Sequence, residues 1–115
     1  MIETTLRQDL FDTRITDLVG NRIFNHTVSD TTQAPYIQYA VYDERASFYD
    51  EGNEIFENNK IQIDIYSKGN YLNIKNTLKK VLREKGYMNL NGGAMYEDEY
   101  KLYRYILRCE KEMEI

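Results

Sequence analysis

The first eighteen residues set apolar side chains at Ile2, Leu6, Leu10, Phe11, Ile15 and Leu18. Steps of four, four, one, four and three follow a 3.6-residue period and predict one amphipathic helix over residues 2–18. Gly20 is its stop signal. Arg22-Ile23-Phe24 reads as a short extended piece, and a polar, irregular stretch runs over residues 27–34. Beyond Pro35, residues 36–42 are dense in aromatic and β-branched side chains and predict a strand with proline at its entrance. Residues 60–66 alternate strictly: Ile61, Ile63 and Ile65 point one way, Lys60, Gln62, Asp64 and Tyr66 the other. One face of that strand packs on helices and the other meets water or a neighbouring subunit. The acidic stretch between the two strands, residues 48–58, reads as the long mobile tip of an antiparallel hairpin.

A second helix follows, with Ser67 or Asn70 as N-cap and Tyr71, Ile74, Leu78, Val81 and Leu82 as its apolar stripe. Lys79, Lys80, Arg83 and Lys85 crowd its C-terminal turns, where cations complement the helix dipole. Gly86 fits the residue after the cap, and Tyr87 then stands where it can touch Leu82. Residues 87–96 and 101–110 predict a last antiparallel pair, kinked at Asn91-Gly92-Gly93 and turning at residues 97–100. The expected fold class is α+β: a mostly antiparallel sheet of four or five strands with two helices on one face, in a single domain over residues 1–115.

At 115 residues the chain suits one core, with a radius of gyration of roughly 13 Å and a diameter of about 34 Å if spherical. The net charge of −4 argues against general affinity for nucleic-acid backbones. No apolar run spans a membrane, and the first residues lack the pattern of a secretory signal. A single cysteine, Cys109, forms no internal disulfide and reads as a small half-buried side chain. His26 lies in a polar stretch with no second histidine and no nucleophile at hand, so it reads as a solvated loop residue. No phosphate-loop, dinucleotide, zinc-protease or paired-cysteine motif occurs. Asp50-Glu51-Gly52-Asn53-Glu54 lacks the alternating ligands of a calcium loop. The expectation is therefore a protein that is not an enzyme and uses no metal or other cofactor.

Eleven tyrosines and no tryptophan exceed what one small core needs. Tyrosine combines apolar area with a polar tip and is enriched where proteins meet. Tyr36, Tyr39, Tyr42, Tyr66, Tyr103 and Tyr105 are the candidate subunit-interface residues.

Several segments, taken in order, resemble the tail-completion (head–tail joining, tail terminator-like) proteins of long-tailed bacteriophages and prophages. They are Leu18-Val19-Gly20-Asn21-Arg22-Ile23-Phe24, Pro35-Tyr36-Ile37, Ile61-Gln62-Ile63-Asp64-Ile65-Tyr66-Ser67 with its following helix, the acidic turn Tyr96-Glu97-Asp98-Glu99, and Tyr105-Ile106-Leu107-Arg108. Where that family often has Thr-Gly in the last turn, this chain has Glu99-Tyr100. The resemblance implies a virion structural protein, made in the host bacterial cytoplasm, that forms a ring, commonly a hexamer, at the head-proximal end of the tail. Its partners would be copies of itself, the tail tube protein and the head-completion or neck proteins, with genomic DNA passing through unbound. Under that reading Asp43, Glu44, Asp50, Glu51, Glu54 and Glu57 face the DNA channel or a partner ring, where carboxylates repel phosphates. The competing reading of the same acidic residues is a DNA-mimicking inhibitor of a nucleic-acid enzyme, which the 15 interleaved basic residues disfavour.

Overall fold

The computed structural model describes residues 1–28 and 32–115, with Glu54 described in its backbone only. The elements in chain order are α1 (Ile2–Leu10), α2 (Thr13–Val19), β1 (Ile23–Asn25), β2 (Tyr36–Asp50), β3 (Asn53–Ser67), α3 (Leu72–Glu84), β4 (Met88–Glu97) and β5 (Leu102–Glu114). The strands form one sheet in the order β1-β2-β3-β5-β4. The β1–β2 pair is parallel and the other three are antiparallel. The class is α+β as expected, with a mixed five-stranded sheet and three helices rather than two.

The extra helix comes from a break in the predicted 2–18 segment. Asp12 turns its carboxylate onto the chain, where Oδ1 accepts from the Arg14 backbone N–H at 2.9 Å. That is an N-cap, and it starts a second helix instead of continuing the first. The apolar rows survive the break, because Ile2, Leu6 and Leu10 of α1 and Ile15 and Val19 of α2 are all buried. The Asp12 carboxylate also meets the Arg14 guanidinium at 3.0 Å and the Lys85 ammonium at 3.7 Å. The hydrogen bonds from Arg14 hold its carboxyl far below the usual carboxylate range. A lowered carboxyl contributes stability that is present above the ordinary value near 4 and is lost as pH falls towards the lowered one. Asp12→Ala is expected to cost about 1 kcal/mol at neutral pH, through the lost cap. The deficit should shrink in urea titrations run below about pH 4.

The end of α3 follows the pattern expected from its sequence. Tyr87 N–H donates to Leu82 O at 3.0 Å and Gly86 N–H to Arg83 O at 3.2 Å, with Gly86 at φ 90°. This is a Schellman closure, and it drops Tyr87 into the core. At the other end, Asn70 Oδ1 accepts from Leu72 N–H at 2.8 Å.

The core lies between the helices and one face of the sheet. Ile37 and Tyr39 of β2, Ile61, Ile63 and Ile65 of β3, and Tyr105, Leu107 and Cys109 of β5 share that face. Register places Ile63 opposite both Tyr39 and Leu107, at the centre of the layer. Burial pushes the Cys109 thiol up to about 12, which keeps it protonated and unreactive.

Two expectations are corrected here. Residues 48–58 are not a mobile loop: β2 and β3 run on to Asp50 and Asn53 and are joined by Glu51-Gly52, both at positive φ. Such a two-residue turn matches the twist of the strands, and Phe48 and Phe56 face each other across the ladder at 6.1 Å. The far half of β5 pairs alongside, as far as Phe56 opposite Glu114. The result is a three-stranded arm reaching past the core, where no residue of β2 after Tyr39 is buried. The arm makes the molecule 52 × 27 × 23 Å with a radius of gyration of 15.1 Å, instead of a sphere.

The second correction concerns Gly92-Gly93. The kink lies upstream, between Met88 and Asn91, where Asn89 has φ 56°, and the glycines sit inside a regular ladder. A Cβ at Gly92 would stand 2.6 Å from Ile106 O and run into the Tyr105 hydroxyl, whereas one at Gly93 meets nothing within 4 Å. Gly92→Val is therefore expected to lose about 2–3 kcal/mol through overpacking. Gly93→Val should stay near neutral in the same denaturation series.

Candidate interaction surface

Among the described residues no helix lies on the second face of the sheet. Strand alternation places Tyr36, Gln38 and Tyr42 of β2, Gln62, Asp64 and Tyr66 of β3, and Arg104, Ile106 and Arg108 of β5 on it. These side chains are tied across strands. Arg104 Nη2 meets Asp64 Oδ2 at 2.7 Å, and Arg104 Nη1 meets Glu97 Oε1 at 3.3 Å. Gln62 Nε2 donates to Asp64 Oδ1 at 3.2 Å and accepts through Oε1 from Arg108 Nε at 3.2 Å. The Arg108 guanidinium lies 5.7 Å from the Tyr42 ring and that of Arg104 lies 5.5 Å from Tyr66. Tyr66 stacks on Tyr36 with centroids 4.8 Å apart.

Asp64 is only 5% exposed although no helix covers it. Its neighbours shield it, and among the described residues the Arg104 Nε beside it is buried with no hydrogen-bond partner. Burial opposes the charge on Arg104, but the hydrogen bond and charge of Asp64 outweigh it and raise the guanidinium above its ordinary value. Burial likewise pushes Tyr66 up to about 12. The face is thus a pre-ordered polar and aromatic platform.

Of the six tyrosine candidates, Tyr36, Tyr42 and Tyr66 belong to this platform, and Tyr103 lies exposed on the other face beyond the start of α3. Tyr39 and Tyr105 do not reach the surface, being 3% and 5% exposed. Both share the inward phase of Ile37 and Leu107. Arg7 Nη1 donates to the Tyr39 hydroxyl at 3.4 Å, and Tyr71 stacks on Tyr105 at 5.7 Å. Both are core residues, and their candidacy as contact residues falls.

The acidic candidates gather on the arm. Asp43 pairs with Arg45 at 2.8 Å, Glu44 faces Glu3 and Glu57, and Asp50 and Glu51 sit at the exposed tip. Desolvation, with help from Glu3 and Glu57, raises the Glu44 carboxyl above its ordinary value. The Glu54 side chain lies outside the described residues.

Arg104, Arg108, Phe48 and Tyr49 are surface groups that the sequence reading passed over. Alternation along residues 103–110 places both arginines on one face, but Asp64, the partner of Arg104, lies 40 residues away from it, and Gln62, the partner of Arg108, lies 46 residues away. Phe48 and Tyr49, at 55% and 60% exposed, were hidden by reading their segment as loop.

The surface depressions near this face hold about 260 to 360 Å³ and open to solvent. That is at or below the lower end of small-molecule pockets. His26 borders one of them, exposed, with its carbonyl accepting from the Gln38 amide. Among the described residues no three His, Cys, Asp or Glu side chains are grouped to hold a metal ion, and no helix is long and apolar enough to cross a membrane.

No protein-family model matches the chain, and no curated protein matches it. A solved structure described as the virion of a native gene transfer agent (GTA) particle contains a chain of the same fold. The TM-score is 0.69, with 16% identity over 96% of this chain and 92% of that one. At that identity the likeness is one of fold.

Proposed function

We propose that the chain is a structural component of a phage-like virion, acting as a tail-completion protein at the head-proximal end of the tail. The observation that carries this reading is the shared fold over nearly the whole of both chains with a component of a GTA virion particle. The ordered motifs that resemble head–tail joining proteins point the same way. The working form is a ring of identical subunits, taken as six, around the path of the DNA. Six bodies set side by side at the 27 Å extent place their centres about 27 Å from the axis. Half of the 23 Å extent then leaves a hole roughly 30 Å across, wide enough for a duplex. The protein works by contact, transforms no substrate and joins its own copies, the tail tube and the neck. The open face supports this over a DNA mimic, because Arg104 and Arg108 alternate there with Asp64 instead of leaving an acidic surface.

The test is to delete the gene in a host that produces the particles and to examine them by electron microscopy and mass spectrometry. The expected result is tails that fail to join heads, with the protein present in complete wild-type particles in ring-like copy number. Normal particles lacking the protein would overturn the reading.

A further inference from the structure

The sheet has two unequal open sides. On one, β1 covers only Ile37–Tyr39 of β2, so the edge from Ala40 outward, including the whole arm, is unpaired. On the other, β4 is the terminal strand. Natural edge strands are normally blunted by charge or proline. Residues 88–96 carry neither, in a chain that is 30% charged, and Met95 and Tyr96 are 48% and 46% exposed.

Charge divides between the arm and the rest of the molecule. The arm, residues 43–58 and 110–115, holds nine acidic residues against two basic, a net charge of −7. The whole chain carries −4, so the remainder is +3. Part of that positive charge stands beside β4, because α3 packs against it. Lys75, Lys79 and Arg83 are four apart and share one flank of α3, with the first two 5.3 and 5.6 Å from the Tyr105 ring. The acidic arm ends in exposed Phe48 and Tyr49, and on the side of the sheet that α3 covers, β4 carries exposed Tyr96 opposite Tyr103.

We propose that the chain associates head to tail with a second copy of itself, the acidic, aromatic-tipped arm of one seated on the β4–α3 flank of the next. The two surfaces differ, so the contact is heterologous and repeats around a closed ring. Opposite charge sets partner and register, and the aromatic tip supplies the buried anchor. This deepens the ring reading above and rests on it for the number of repeats.

The test uses the full chain with two double variants, Phe48→Ala/Tyr49→Ala on the arm and Lys79→Glu/Arg83→Glu on the flank, after circular dichroism shows both folded. In sedimentation velocity the wild type is expected to associate reversibly with rising concentration, and less so at high salt. Each variant alone should associate at least about tenfold more weakly. An equimolar mixture should recover association and stop at a heterodimer, because each partner keeps one good surface. Should the flank variant fold poorly, Asp50→Lys/Glu51→Lys on the arm is expected to weaken association similarly. A wild type that stays monomeric, variants that associate as it does, or a mixture that stays monomeric would each overturn the contact. Incorporation of the chain into particles is measured separately, so particles that contain it and accept both variants unchanged would refute the contact and leave the virion reading standing.

Discussion

Asp64→Ala is expected to destabilise the fold by about 3 kcal/mol, because it breaks a pair whose acidic member is buried. Removing the carboxylate leaves Arg104 with a Glu97 contact at 3.3 Å and an Nε that already lacks a partner. It also strips Gln62 Nε2 of its acceptor. Replacing both members with apolar residues, Asp64→Leu with Arg104→Met, should return stability to within about 1 kcal/mol of wild type. Urea titration of the two single variants and the double variant checks this. A cost below about 1 kcal/mol for Asp64→Ala would mean that water already solvates the pair. The comparison bears on function, because a pair that adds little net stability but fixes the platform suits a surface whose shape must be set before a partner arrives. With the apolar double variant, folding and particle assembly are measured independently.

Ile63→Ala should cost about 3–4 kcal/mol, and Ile63→Val about 1 kcal/mol. Ile63 is fully buried at the middle of the central strand, between Tyr39 and Leu107. The helices and the sheet close on it from both sides, so the cavity left by truncation has little room to collapse. A domain of this size holds about 5–15 kcal/mol in all, so the alanine variant sits near the edge of folding at 37 °C. An unchanged denaturant slope with a lowered midpoint is the expected signature.

The two variants also separate what each face of β3 does. Ile61, Ile63 and Ile65 bind the helices to the sheet, whereas Gln62, Asp64 and Tyr66 organise the side that no helix covers. Alternation alone assigned these residues to their faces, and the structure agrees with it. The interface candidates fared unevenly for the same reason. Tyr36, Tyr42 and Tyr66 fall on the open face, while Tyr39 falls in phase with Ile37 and is buried. A tyrosine's composition says nothing of phase, and the bulge between Val41 and Asp43 resets it further along β2.

Local chemistry was legible in residues 60–66, in the stripe of α3, and in the closure at Gly86-Tyr87, because period, cap and left-handed glycine act within one or two turns. The split between α1 and α2 was also local, but a capping aspartate in the middle of an apolar period is outvoted by the period. The arm, the order β3-β5-β4, the Asp64–Arg104 pair and the gathering of acidic residues on the arm depend on which strands become neighbours. That choice is made by closing loops of tens of residues around a shared core, and no short window of sequence contains it.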